Sequence, residues 1–130
     1  MSRLIAVIFL SLFCFTSTYG QCGVPQNTFS NNVYFFSAQV NWNTVLGANH
    51  YKIRYKEIGT SPWSYKNNID SLLTFRTLNN LSDQTTYIWQ IRAHCDTISN
   101  FSNWSQVDTF YTFTNLCPVS YTHLTLPTKA

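Results

Sequence analysis

Between Gln21 and Pro118 the residues with the chemistry for catalysis or metal binding are His50 and His94, Cys22, Cys95 and Cys117, and the carboxylates Glu57, Asp70, Asp83, Asp96 and Asp108. Nucleophilic catalysis needs a Ser or Cys held near a His that a carboxylate orients. The two histidines fall on different strand-like stretches, and no nucleophile elbow, paired-carboxylate pattern or Gly-rich phosphate loop accompanies them. Neither His50 nor His94 has ligand spacing to the cysteines. These residues point away from an enzyme and from a cofactor or metal. His94, at the end of a polar row, reads as a solvated surface residue. A different chemistry is offered by Lys52, Arg54 and Lys56, which alternate along "HYKIRYKEI". Three cations on one side of a strand suit an acidic glycan, although the plainer reading is a solvated face that keeps the protein soluble.

The elements that position these residues are strands. "SAQVNW" alternates Ala38, Val40 and Trp42 against Gln39 and Asn41. "HYKIRYKEI" sets Tyr51, Ile53 and Tyr55 against the cations, and "TTYIWQIRAHC" sets Tyr87, Trp89, Ile91 and Ala93 against Ile88, Gln90, Arg92 and His94. Period two with one polar side is the pattern of a half-buried antiparallel strand. "TVLGAN", "EIGTSP", "NNLSDQ" and "DTISNFSN" supply turn residues between them. Within "SLLTFRTL" the facing is ambiguous, because Leu73 with Phe75 and Leu72 with Leu78 imply opposite faces. "QVDTFYTF" has the same ambiguity. About seven short strands at this spacing predict an all-β sandwich.

The chain has 130 residues, of which 45% are hydrophobic, 17% aromatic and 10% charged, a balance that excludes a disordered protein. Residues 1–20 carry Arg3, an apolar run from Leu4 to Phe15 and a small-residue end at Gly20, the layout of a secretory signal peptide cleaved before Gln21. That run is shorter than the roughly 20 residues of a membrane span. The whole chain has a formal charge of +3, but from Gln21 to Pro118 six bases stand against five acids, leaving +1. With no Lys/Arg run, a nucleic-acid partner is not expected.

The order and spacing of Trp42, "LSDQTTY", "YIWQIRA" and "SNFSNWS" resemble a fibronectin type III module, particularly those of secreted bacterial surface proteins. Asp83 stands where that family usually has proline. The resemblance implies a seven-stranded immunoglobulin-like β-sandwich over residues 21–115, with Trp42, Tyr87 and Trp89 in its core. Tyr87 has the spacing of a tyrosine corner, whose hydroxyl bonds backbone near Leu81. It further implies that Cys22 and Cys95 meet at one pole and form a disulfide, closing a loop of about 74 residues worth roughly 4 kcal/mol on the chain-entropy model. A Cys95–Cys117 bridge would have to span the sandwich. The family topology also sets Arg92 and His94 beside Lys52, Arg54 and Lys56 as one basic stripe, with Trp104 stacked on Arg92. "TVLGAN" and "DTISNFSN" then lie at the leader-proximal pole, where Ile98 and Phe101 are the apolar candidates for contacting a partner. "DSL" at 70–72 and "DTI" at 96–98 match an O-glycosylation signal of some surface bacteria.

"LCP" at 116–118 repeats the opening "QCGVP", so Cys117 is expected to begin a following module and to pair within it. Residues 119–130 read as an unstructured tail, since "VSYTHLTLPT" resembles the translation of a transposon-end adapter used in sequencing libraries. The expected function is a non-catalytic adhesion or spacer module of a larger secreted or cell-surface protein, with a protein or glycan partner. The alternatives are an accessory domain of a secreted hydrolase and a cytokine-receptor-like ectodomain.

Overall fold

The computed structural model describes residues 21–96 and 98–114. The leader at 1–20, Thr97, Cys117 and the tail lie outside them. Seven strands run in order: β1 Phe29–Asn31, β2 Ala38–Asn41, β3 His50–Glu57, β4 Ser64–Asp70, β5 Phe75–Leu78, β6 Thr86–His94 and β7 Asp108–Tyr111. They form two antiparallel sheets, β1-β2-β5 and β4-β3-β6-β7. This is the all-β, immunoglobulin-like sandwich that the sequence predicts. Among the described residues no helix is long and apolar enough to cross a membrane.

Period-two patterning decides which sheet faces meet. Along β6 every second residue is buried, so Tyr87, Trp89, Ile91 and Ala93 point inward while Ile88, Gln90, Arg92 and His94 line the other face. β3 does the same with Tyr51 and Ile53, and β2 contributes Ala38 and Val40, with Trp42 just past its end. These side chains, with Ile69, Leu78, Leu81 and Phe110, make one core cluster. Trp42 and Tyr51 meet edge to face at 5.5 Å, and Tyr87 stacks on Phe110 at 5.4 Å.

The two ambiguous segments are settled by pairing. Ala38 stands opposite Leu78, which turns Leu78 inward and Phe75 outward, and Leu72 is left in the turn before β5. Tyr87 stands opposite Phe110, so Phe110 is buried and Tyr111 exposed. The Tyr87 hydroxyl accepts the Ser82 N–H at 2.9 Å, tying the β5–β6 connection to the core. At the other pole Cys22 and Cys95 form a disulfide with Cα atoms 5.6 Å apart.

Two details shape the outer face of the larger sheet. Tyr51 pairs with Ile69 but Ile53 with Lys66, so β4 carries one extra residue, a bulge with Asn68 at a φ of 52°. Asn tolerates that left-handed conformation better than most residues. Between β2 and β3 the tight turn puts Gly47 at a φ of 82°, which a side chain would strain.

A cation–aromatic face as the candidate binding surface

β3 and β6 run side by side in a register that fixes the polar face. His50 stands opposite His94, Lys52 opposite Arg92, Arg54 opposite Gln90 and Lys56 opposite Ile88. β4 sets Tyr65 opposite Arg54, and Trp63 lies just before that strand. The fourth contributor is the stretch Phe101–Ser105. After one isolated antiparallel bridge between Phe101 and His94, it stays beside β6 with serine hydroxyls accepting where a strand would offer carbonyls. Ser102 Oγ accepts the Ala93 N–H at 3.0 Å and Ser105 Oγ accepts the Ile91 N–H at 3.0 Å. The serine N–H groups donate to the Ala93 and Ile91 carbonyls, each at 2.8 Å.

With Ser102 and Ser105 turned to the strand, Phe101 and Trp104 lie over the cations. A ladder results. Lys56 Nζ sits 4.6 Å from the Trp63 ring and Arg54 Cζ 4.4 Å from the same ring. Arg54 and Arg92 sandwich Trp104 at 4.3 and 4.5 Å. Arg92 also meets Phe101 at 4.3 Å, Phe101 leans on His94 at 5.5 Å, and His94 stacks on His50 at 4.5 Å. Lys52 lies to one side, 4.7 Å from Tyr65. Each half-buried cation over a ring contributes on the order of 1 kcal/mol. Gln90 Oε1 accepts from Arg54 Nε and Nη2 at 2.9 and 2.6 Å, and Gln90 Nε2 donates to the Ser105 carbonyl at 2.7 Å. The basic row is therefore half-buried and stacked, which corrects the expectation of a freely solvated face.

His94 is corrected in the same way. Its ring is packed against His50 and Phe101, and its Nε2 is buried with no hydrogen-bond partner among the described residues. Burial, then the positive charges of His50, Arg92 and Lys52, hold His94 below the ordinary histidine range, against the opposing pull of Asp96. Burial and the neighbouring Arg54 likewise lower Arg92, which stays charged in any physiological range. Beside the histidines a cleft of about 580 Å³ opens between β3, β4 and β6, lined by His50, Lys52, Asn67, Asn68, His94 and Ile98.

Of the apolar candidates, Ile98 is 89% exposed at the lip of this cleft, and Phe101 is 49% exposed while its ring packs on Arg92 in the ladder. The Asp96 carboxylate fixes the loop between them by accepting the N–H groups of Ile98, Ser99 and Asn100 at 2.8–2.9 Å. Those three bonds hold its pKa below the usual carboxylate value. Sequence reasoning missed Trp63, Tyr65, Gln90, Ser102 and Ser105. A signal was present: Trp63 and Tyr65 alternate, and Phe101/Trp104 and Ser102/Ser105 repeat at a spacing of three. Among the described residues no group of three or more His, Cys, Asp or Glu side chains is placed to hold a metal ion.

No family model and no curated protein matches the sequence. Solved structures do match the three-dimensional arrangement. The fn3 domain of the human collagen alpha-1(XX) chain superposes with a TM-score of 0.66 at 23% identity, covering 79% of this chain and 96% of that one. The fold is that of a fibronectin type III domain. The fn3 domain of human contactin 1 gives a TM-score of 0.65 at 19% identity, over 74% of this chain and 82% of its own. A myokine structure gives 0.64 at 21% identity, over 72% of this chain and 99% of its own. At these identities the likeness is one of fold, and the fibronectin type III sandwich must be read for function from its own surface.

Proposed function

We propose that this fibronectin type III sandwich is a non-catalytic binding module of a secreted or cell-surface protein, and that the β4-β3-β6 face is its contact surface. The observation that carries the reading is the ladder from Lys56 to His50. Cations on a solubility face are held by water and are free to move, whereas these are fixed by rings from two separate segments, Trp63 before β4 and the Phe101–Trp104 stretch. A rigid polar surface loses little entropy when a partner docks. The disulfide supports the extracellular placement, because such bonds persist in oxidising compartments.

The test is a binding screen of the oxidised full chain against neutral and acidic glycans and extracellular matrix proteins. Saturable binding without chemical change in the bound molecule is the expected result. Turnover of a bound molecule, or binding to none of the set, counts against the proposal.

A further inference from the structure

We infer that the partner of this face is a linear acidic polysaccharide, carboxylated or sulfated, laid along β3 from Lys56 to the cleft beside His50; the inference rests on the binding-module reading above. Charge complementarity is the first argument. Of the six Lys and Arg residues between Gln21 and Pro118, Lys52, Arg54, Lys56 and Arg92 share this face. Among the described residues the partners that fix them are rings and the Gln90 amide, so their charge is positioned there without a carboxylate. The other two, Lys66 and Arg76, line a separate cleft with Leu73 and Phe75.

Spacing is the second argument. Alternate residues of a strand stand roughly 6.6 Å apart, so Lys52 to Lys56 covers about 13 Å and the row down to His50 about 20 Å. A small anion meets one or two of these cations, while an extended polyanion meets them all. Stacking consumes the flat face of a guanidinium, and Gln90 takes the Nε and Nη2 edge of Arg54, so Arg54 meets an anion through its remaining N–H edge.

The third argument separates a polysaccharide from a nucleic acid. Bases bind by stacking on free aromatic faces. Trp63 lies against Arg54 and Lys56, and Trp104 lies between Arg54 and Arg92, so neither offers such a platform. The cleft end presents Asn67 and Asn68, whose amides both donate and accept, as hydroxyl-rich sugars require.

The experiment measures binding of the oxidised full chain to heparin fragments, a polyuronate, neutral dextran, single-stranded DNA and anionic phospholipid vesicles at about 0.15 M salt, where screening acts beyond about 8 Å. Binding to heparin or the polyuronate is expected, weakened about fivefold by Lys52→Gln and again by Lys56→Gln. Lys66→Gln and Arg76→Gln remove the same charge elsewhere and should leave it unchanged. Near-ultraviolet circular dichroism confirms that each variant is folded. Equal loss in all four variants, or tighter binding to DNA or vesicles, overturns the inference. Saturable binding to dextran here, or to a matrix protein in the screen above, with no binding to the acidic chains overturns it too, but leaves the binding-module reading standing.

Discussion

Ser105 and Ile91 bond to each other twice: the serine N–H donates to the Ile91 carbonyl at 2.8 Å, and the serine Oγ accepts the Ile91 N–H at 3.0 Å. Ser102 repeats the arrangement with Ala93. Both strand residues are fully buried, so the hydroxyls satisfy amides that water cannot reach. Ser105→Ala should cost about 1–3 kcal/mol, the penalty for an orphaned buried donor. Urea denaturation reads it as a lower midpoint with an unchanged slope. A loss below about 0.5 kcal/mol would show that the hydroxyl adds nothing to the backbone bonds and packing that remain in the variant.

The Cys22–Cys95 bridge joins residues 73 apart in sequence. Closing a loop of that length stabilises the folded state by about 4 kcal/mol on the chain-entropy model. The Cys22→Ser/Cys95→Ser double variant should therefore lose a large share of the domain's stability. Denaturation of the two proteins side by side gives the difference.

Tyr87→Phe keeps the ring that stacks on Phe110 and removes only the hydroxyl that accepts from Ser82. A loss of about 1 kcal/mol is expected, which lowers the melting temperature by about 4–8 °C in a domain of this size. Calorimetry is the measurement, and an unchanged melting temperature would remove the corner from the list of stabilising contacts.

Trp104→Ala deletes the ring between Arg54 and Arg92, leaving two guanidinium groups facing each other. The expected cost is about 2 kcal/mol, from two lost stacks and the repulsion that the ring had screened. Raising salt should recover part of that loss in the variant more than in the parent.

Acid should weaken the fold through His94. In the folded protein its pKa is lowered, chiefly by burial and then by His50, Arg92 and Lys52. The unfolded chain therefore binds the proton first. Stability is highest when His94 is neutral in both states, and it falls as pH drops through the unfolded value of about 6.5 toward the lower folded one. His94→Gln should flatten the limb of the stability profile just below pH 6.5. A profile as steep as the parent's would assign that limb to another group.

Much of this architecture is legible in the sequence. The alternation in "HYKIRYKEI" and "TTYIWQIRAHC" separates core from polar face because a strand has a period of two and tolerates no other assignment of its buried side. The segments around Leu78 and Phe110 were not legible. Each carries apolar residues on both faces, and only the partner strand says which side is inward.

The candidate face divides along the same line. The sequence by itself places Lys52, Arg54 and Lys56 on one side of β3, since local geometry alone sets that row. It cannot say what lies over them. The rings that cover the cations come from Trp63, Phe101 and Trp104, up to about fifty residues away in the chain, and the serines that turn Phe101 and Trp104 toward the face act through β6. Side-chain direction within a strand is a local property, whereas the company a charge keeps depends on which distant segments fold against it. Tertiary structure alone turned a row of cations into a fixed ladder.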